Sequence, residues 1–168
     1  MADKTLEVFV AVYSDETSAG VALKDLKDME HARSIELIDA ALVVRDAEGK
    51  VHYEETADPS GKKMAKHGAI AGGLVGLIFP PSIIVGAVVG GAGGGIWGKI
   101  RDKGFKDDEL KAVGESLTPG SSAIIAVAED KVVQQLETGL EGYERLTRHV
   151  MSADAAAVVT AEAAASPA

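Results

Sequence analysis

The chain has 168 residues, of which 26 are acidic and 17 basic, for a formal net charge of −9. That balance excludes general nucleic-acid binding, which needs a surplus of basic side chains, and the lack of any cysteine excludes disulfides, thiol catalysis and thiolate metal sites. A hydrophobic content of 46% suffices for a core, so the length fits one domain with an insertion or two small ones.

Near the start, Leu6, Val8, Phe9, Val10, Ala11, Val12 and Tyr13 form a short apolar run that predicts a buried strand. The run is too short for a signal peptide and acids border it, so the chain is expected in the cytoplasm. Ser14 is placed to cap a following helix, with Asp15 and Glu16 suiting its positive end. Val21, Leu23, Leu26 and Met29 give that helix an apolar face. Residues 35–44 read as a second strand, Asp46 through Lys50 as a hairpin turn, and residues 51–56 as the return strand. Pro59, Ser60 and Gly61 then mark a boundary.

Residues 68–98 carry no charge and contain 11 glycines. Two ladders run at four-residue spacing: Gly68, Gly72 and Gly76, then Gly86, Gly90, Gly94 and Gly98. Residues four apart share one helix face, and glycines there form a flat strip that admits another backbone closely. Pro80 and Pro81 separate the ladders, so the segment reads as two glycine-faced helices joined by a proline turn and projecting from the core. Each glycine costs about 1 kcal/mol against alanine in a helix interior, so eleven cost roughly 10 kcal/mol, as much as a small domain's whole stability. Close packing of the arms, of several subunits, or burial in lipid must offset that cost. Lys62, Lys63, Lys66 and His67 precede the segment, and Lys99, Arg101 and Lys103 follow it. A hairpin returns its ends to one side, which gathers these seven groups at its base. Such a base suits anionic lipid headgroups at a cytoplasmic membrane face, and equally suits acids of the same assembly.

After the insertion, Asp107, Asp108 and Glu109 open a short helix that Pro119 and Gly120 end. Residues 122–128 read as another buried strand, Asp130 as the cap of a helix carrying Val132, Val133, Leu136 and Leu140, and residues 146–151 as a last strand. Residues 153–168 are an alanine-rich tail. Two strand–acidic cap–helix–strand units therefore flank the insertion, the pattern of a ferredoxin-like split βαβ fold. The expected organisation is a first half of an α+β core over residues 1–58, a glycine-zipper hairpin over 59–104, the second half over 105–152, and the tail.

This order of features resembles an uncharacterised bacterial domain-of-unknown-function family, number twelve sixty-nine, described as predicted membrane proteins. The features are an α/β half ending in Gly49, Lys50, Val51, His52, Tyr53, Glu54 and Glu55, a basic run, a glycine-ladder hairpin around prolines, and a strand ending in Ala126, Val127, Ala128, Glu129 and Asp130. The resemblance spans nearly the whole chain, with residues 68–98 its most specific part. It implies no reaction, cofactor or catalytic residue.

The residues themselves supply little chemistry. Gly93, Gly95 and Gly98 fit a dinucleotide pattern, and Lys99 extends it towards a phosphate-binding loop, but both patterns need a strand before and a helix after. Here a helix-like ladder precedes, and Ile100 stands where a magnesium-binding hydroxyl belongs. His31, His52, His67 and His149 share no metal-ligand spacing. Glu54 and Glu55 face opposite sides of a strand, which disfavours them, with Asp58, as an acid–base pair. No serine stands in a nucleophile-elbow context. The expectation is a non-enzymatic protein with no metal and no cofactor.

Two readings of function follow. One is a self-assembling structural protein that homo-oligomerises through the glycine zipper. The other is a peripheral or re-entrant membrane protein that inserts the hairpin at anionic bilayers, on the inner face of the cell membrane. As helices the arms are about 18 and 25 Å long, against a hydrocarbon core of about 30 Å, so two full spans are not supported. A small-molecule sensor built on the α/β half is a third reading, its ligand unidentified.

Overall fold

The structure, a computed structural model, describes residues 5–35, 37–55, 78–79, 81–85, 107–154 and 156–157. Its centre is β1 (Leu6–Tyr13), buried at every position. Alternation sends Val8, Val10 and Val12 to one face and Phe9, Ala11 and Tyr13 to the other. The partner β4 (Ser121–Glu129) repeats this, with Ala123, Ile125 and Val127 opposite Ile124, Ala126 and Ala128. Both strands lack a polar face because both sides of the sheet are covered.

The sheet has five strands in the order β3-β2-β4-β1-β5, and every pairing is antiparallel. β2 is Leu37–Arg45, β3 is Val51–Glu55 and β5 is Arg145–Val150. β4 lies between β1 and β2, and β1 lies between β4 and β5. Each strand–helix–strand unit thus brackets a strand of the other, and β3 is added at one edge. The chain is a mixed α/β protein, and the two strand–helix units share one sheet as the repeat predicts.

Helices α1 (Ser18–His31) and α3 (Asp130–Gly139) cover one face. Ala19, Ala22, Leu23 and Leu26 bury the inner side of α1 at the i, i+3, i+4, i+7 spacing of a helical stripe. Val21, expected on that stripe, is 63% exposed, because two residues from Ala19 is more than half a turn. The helix also starts later than expected. Ser14 does not cap it. Thr17 is the cap residue, and Asp15, two residues before it, accepts hydrogen bonds from the Thr17 and Ser18 amides at 2.8 and 2.7 Å and from both hydroxyls. Asp130 likewise is not a cap but the first helical residue, with Glu129 before it.

Ser122 joins this helix to the sheet. Its buried hydroxyl donates to the Asp15 carbonyl at 2.6 Å and accepts from the Ala19 amide at 3.2 Å. At the far edge, Gly49 (φ 82°) closes the β2–β3 turn in a conformation that favours glycine. Asp46 accepts the Glu48 and Lys50 amides there.

Candidate functional site

The opposite sheet face is covered by a different set of residues. Ile78 and Phe79 are buried in a cluster that includes Val8, Val10, Val43, Val51, Leu117, Ile125 and Met151. Ile83 and Ile84 pack on its border. These four side chains come from the stretch between the two glycine ladders, where Pro81 opens a 3-10 turn (Pro81–Ile83). Ile84 forms a parallel bridge with Val51, and the Val85 amide donates to the Val51 carbonyl at 2.8 Å.

The turn was expected at the tip of a projecting hairpin. It is instead anchored on the sheet. The physical reason is composition: Ile78, Phe79, Ile83 and Ile84 are large apolar side chains beside the prolines, and the face left open by α1 and α3 needs such groups. Ile83 and Ile84 are partly buried by their own chain. Val85 remains 44% exposed.

Helix α2 (Asp107–Ser116) holds the turn from outside. A Cβ on Gly114 would lie 2.9 Å from the Ile78 carbonyl oxygen and 3.3 Å from its Cγ2. Only glycine lets the helix approach the turn this closely. Gly114 carries no sequence signal beyond being a glycine inside a helix, and sequence reasoning missed it. Arg45 ties the same region together, donating from Nη1 to the Leu117 carbonyl at 2.8 Å.

The ladder glycines Gly68, Gly72, Gly76, Gly86, Gly90, Gly94 and Gly98 lie outside the described residues, as do Pro80, Lys62, Lys63, Lys66, Lys99, Arg101, Lys103 and the dinucleotide-like pattern at Gly93. What is described is the junction between the two ladders.

The remaining polar residues mostly have structural partners. His52 Nε2 lies 2.8 Å from Asp46 Oδ2, and this contact, with the turn amides, holds the Asp46 carboxyl below the usual carboxylate range. Glu7 is buried in β1. Arg148 answers it with a two-pronged contact, Nε and Nη2 donating at 3.0 and 3.2 Å, while Nη1 reaches Glu137 at 3.0 Å. The Glu7 hydrogen bond raises the Arg148 pKa. Among the described residues, no group of three His, Asp or Glu side chains is placed to hold a metal. No described helix is long and apolar enough to cross a membrane.

Two clefts open on the helix-covered side. One, of about 570 Å³, lies between the end of α1 and the start of α3, beside Arg33, Ile35 and Lys131. Arg33 sits there at φ 58°, closing α1 in a conformation usually taken by glycine. The other, of about 520 Å³, lies between α1 and the loop after α3 and is lined by Tyr13, Ser18, Val21, Ala22, Asp25, Glu141 and Gly142. Tyr13 is 1% exposed, and its hydroxyl finds no hydrogen-bond partner among the described residues. Burial, then the nearby charges of Tyr143 and Asp25, push its pKa up to about 12.

No curated protein and no solved structure matches the chain. Residues 65–163 match the model of a family described as a protein of unknown function, DUF1269. The match covers the ladders, the anchored turn, α2, β4, α3 and β5, and the chain belongs to that family.

Proposed function

We propose that the chain is a non-enzymatic, self-assembling structural protein that homo-oligomerises through the glycine zipper of residues 68–98. The observation that carries this reading is the anchored turn. With Ile78 and Phe79 buried in the core, the junction of the two ladders is fixed against the sheet. Preorganisation of that kind lowers the entropy cost of association. The uncharged flat strip of Gly86, Gly90, Gly94 and Gly98 then offers a surface suited to a second backbone.

The core beneath it is read as a ferredoxin-like split βαβ fold with β3 added at an edge. The interleaved strand order and all-antiparallel pairing support that assignment.

Peripheral membrane association, at the cytoplasmic face of anionic bilayers, is the second reading. The seven basic and histidine residues flanking the ladders favour it. Re-entrant insertion needs the proline turn at the deepest point of the loop, and Ile78 and Phe79 packed on the sheet disfavour that. Sedimentation of the full chain with phosphatidylserine vesicles separates the readings. Assembly without vesicles and no co-sedimentation is expected. A monomer that assembles only on vesicles would favour the membrane reading.

A further inference from the structure

The cleft beside Tyr13 lies on the face of the sheet away from the anchored turn. Three elements build it. β1 ends there at Tyr13, α1 supplies Ser18, Val21 and Asp25, and the loop after α3 brings Glu141. The Ser122 and Asp15 contacts that fix the start of α1 to the sheet hold this wall in place. From the chemistry of these walls we propose that the cleft binds a small aliphatic ammonium cation.

Three observations converge on that ligand. Among the described residues that line the cleft, Asp25 and Glu141 are acidic and none is basic, so a cation is attracted and a carboxylate repelled. The Tyr13 hydroxyl is buried and unpartnered among the described residues, and Tyr13 lines the same cleft as Asp25. Buried polar groups ordinarily have partners, and one that lacks them invites a functional explanation. An ammonium N–H would donate to the phenol oxygen and to the carboxylates together. Val21, a large apolar side chain left 63% exposed, gives an alkyl chain a dry surface beside those charges. A volume of about 520 Å³ falls within the range of small-molecule sites.

The probe is 1,4-diaminobutane, titrated calorimetrically into the full chain at about 0.15 M salt, where diffuse attraction to an acidic protein is screened beyond about 8 Å. One saturable site per chain is expected. Asp25→Asn and Glu141→Gln should each weaken it at least tenfold, and butanoate should not bind. Asp25 and Glu141 are exposed, so these variants fold whatever the fate of a core change. Tyr13→Phe should raise the melting temperature while weakening binding, a split that a purely structural tyrosine would not show. The proposal is overturned by the absence of saturable binding, by equal binding in the two carboxylate variants, or by butanoate binding as well as the amine.

Discussion

At the scale of single residues, the structure rests on polar contacts whose partners lie close in sequence or directly across the sheet. Asp15 accepts four hydrogen bonds within three residues, and these, led by the Ser18 hydroxyl, hold its carboxyl well below the usual range. A depressed native pKa means that its stabilisation is complete above the unfolded value of about 3.9 and is lost as pH falls towards the lower native value. Asp15→Ala should therefore melt earlier than the parent at neutral pH, and the gap should narrow below about pH 4. Parallel thermal melts across that window check this, and a gap that widened in acid would contradict it. Arg33 is the reverse case, a residue working against its own backbone at φ 58°. The Ser34 amide donates to the Met29 carbonyl and the Arg33 amide to that of Glu30, the closure that glycine makes at helix ends. Arg33→Gly should gain about 0.5 kcal/mol in urea unfolding, the relief of the left-handed strain less the greater freedom of glycine in the unfolded chain.

At the scale of elements, the anchored turn depends on one close approach. Alanine at position 114 would improve helix propensity by about 1 kcal/mol, so any destabilisation must come from contact. Its Cβ would sit 2.9 Å from a backbone oxygen of Ile78, which must shift. Gly114→Ala should lose about 1–2 kcal/mol in denaturant unfolding, as overpacked sites do, and limited proteolysis should then cut near Val85. A stabilised variant with an uncut turn would show that α2 does not clamp it. The order of the elements was legible in the sequence because short apolar runs such as Leu6–Tyr13, bounded by polar turn and cap residues, have the length and composition of strands buried on both faces. The start of α1 was misplaced because Ser14, Asp15, Thr17 and Ser18 are all good caps, and only geometry picks Thr17, with Asp15 bonding the amides at the helix start. The docking of Ile78 and Phe79 was not legible. A short apolar stretch between prolines reads alike whether it meets lipid, a second subunit or its own sheet, and only the open sheet face decides. Neither Gly114 nor the Tyr13 hydroxyl, unpartnered among the described residues, has a local pattern, since each owes its role to residues distant in sequence.

At the scale of the whole molecule, the sheet is covered on both faces, by α1 and α3 on one side and by the turn and Leu117 on the other, and the turn interrupts an uncharged glycine-rich segment of the sequence. The central claim is that this segment joins copies of the chain. Light scattering on the full chain in detergent-free buffer tests it most directly, comparing the parent with Gly90→Leu and with Ser82→Ala, a change at an exposed turn position. The account predicts an oligomer for the parent and for Ser82→Ala, and dissociation to smaller species for Gly90→Leu, because a leucine on the strip holds the backbones apart. A monodisperse monomeric parent, or an oligomer indifferent to Gly90→Leu, would contradict it.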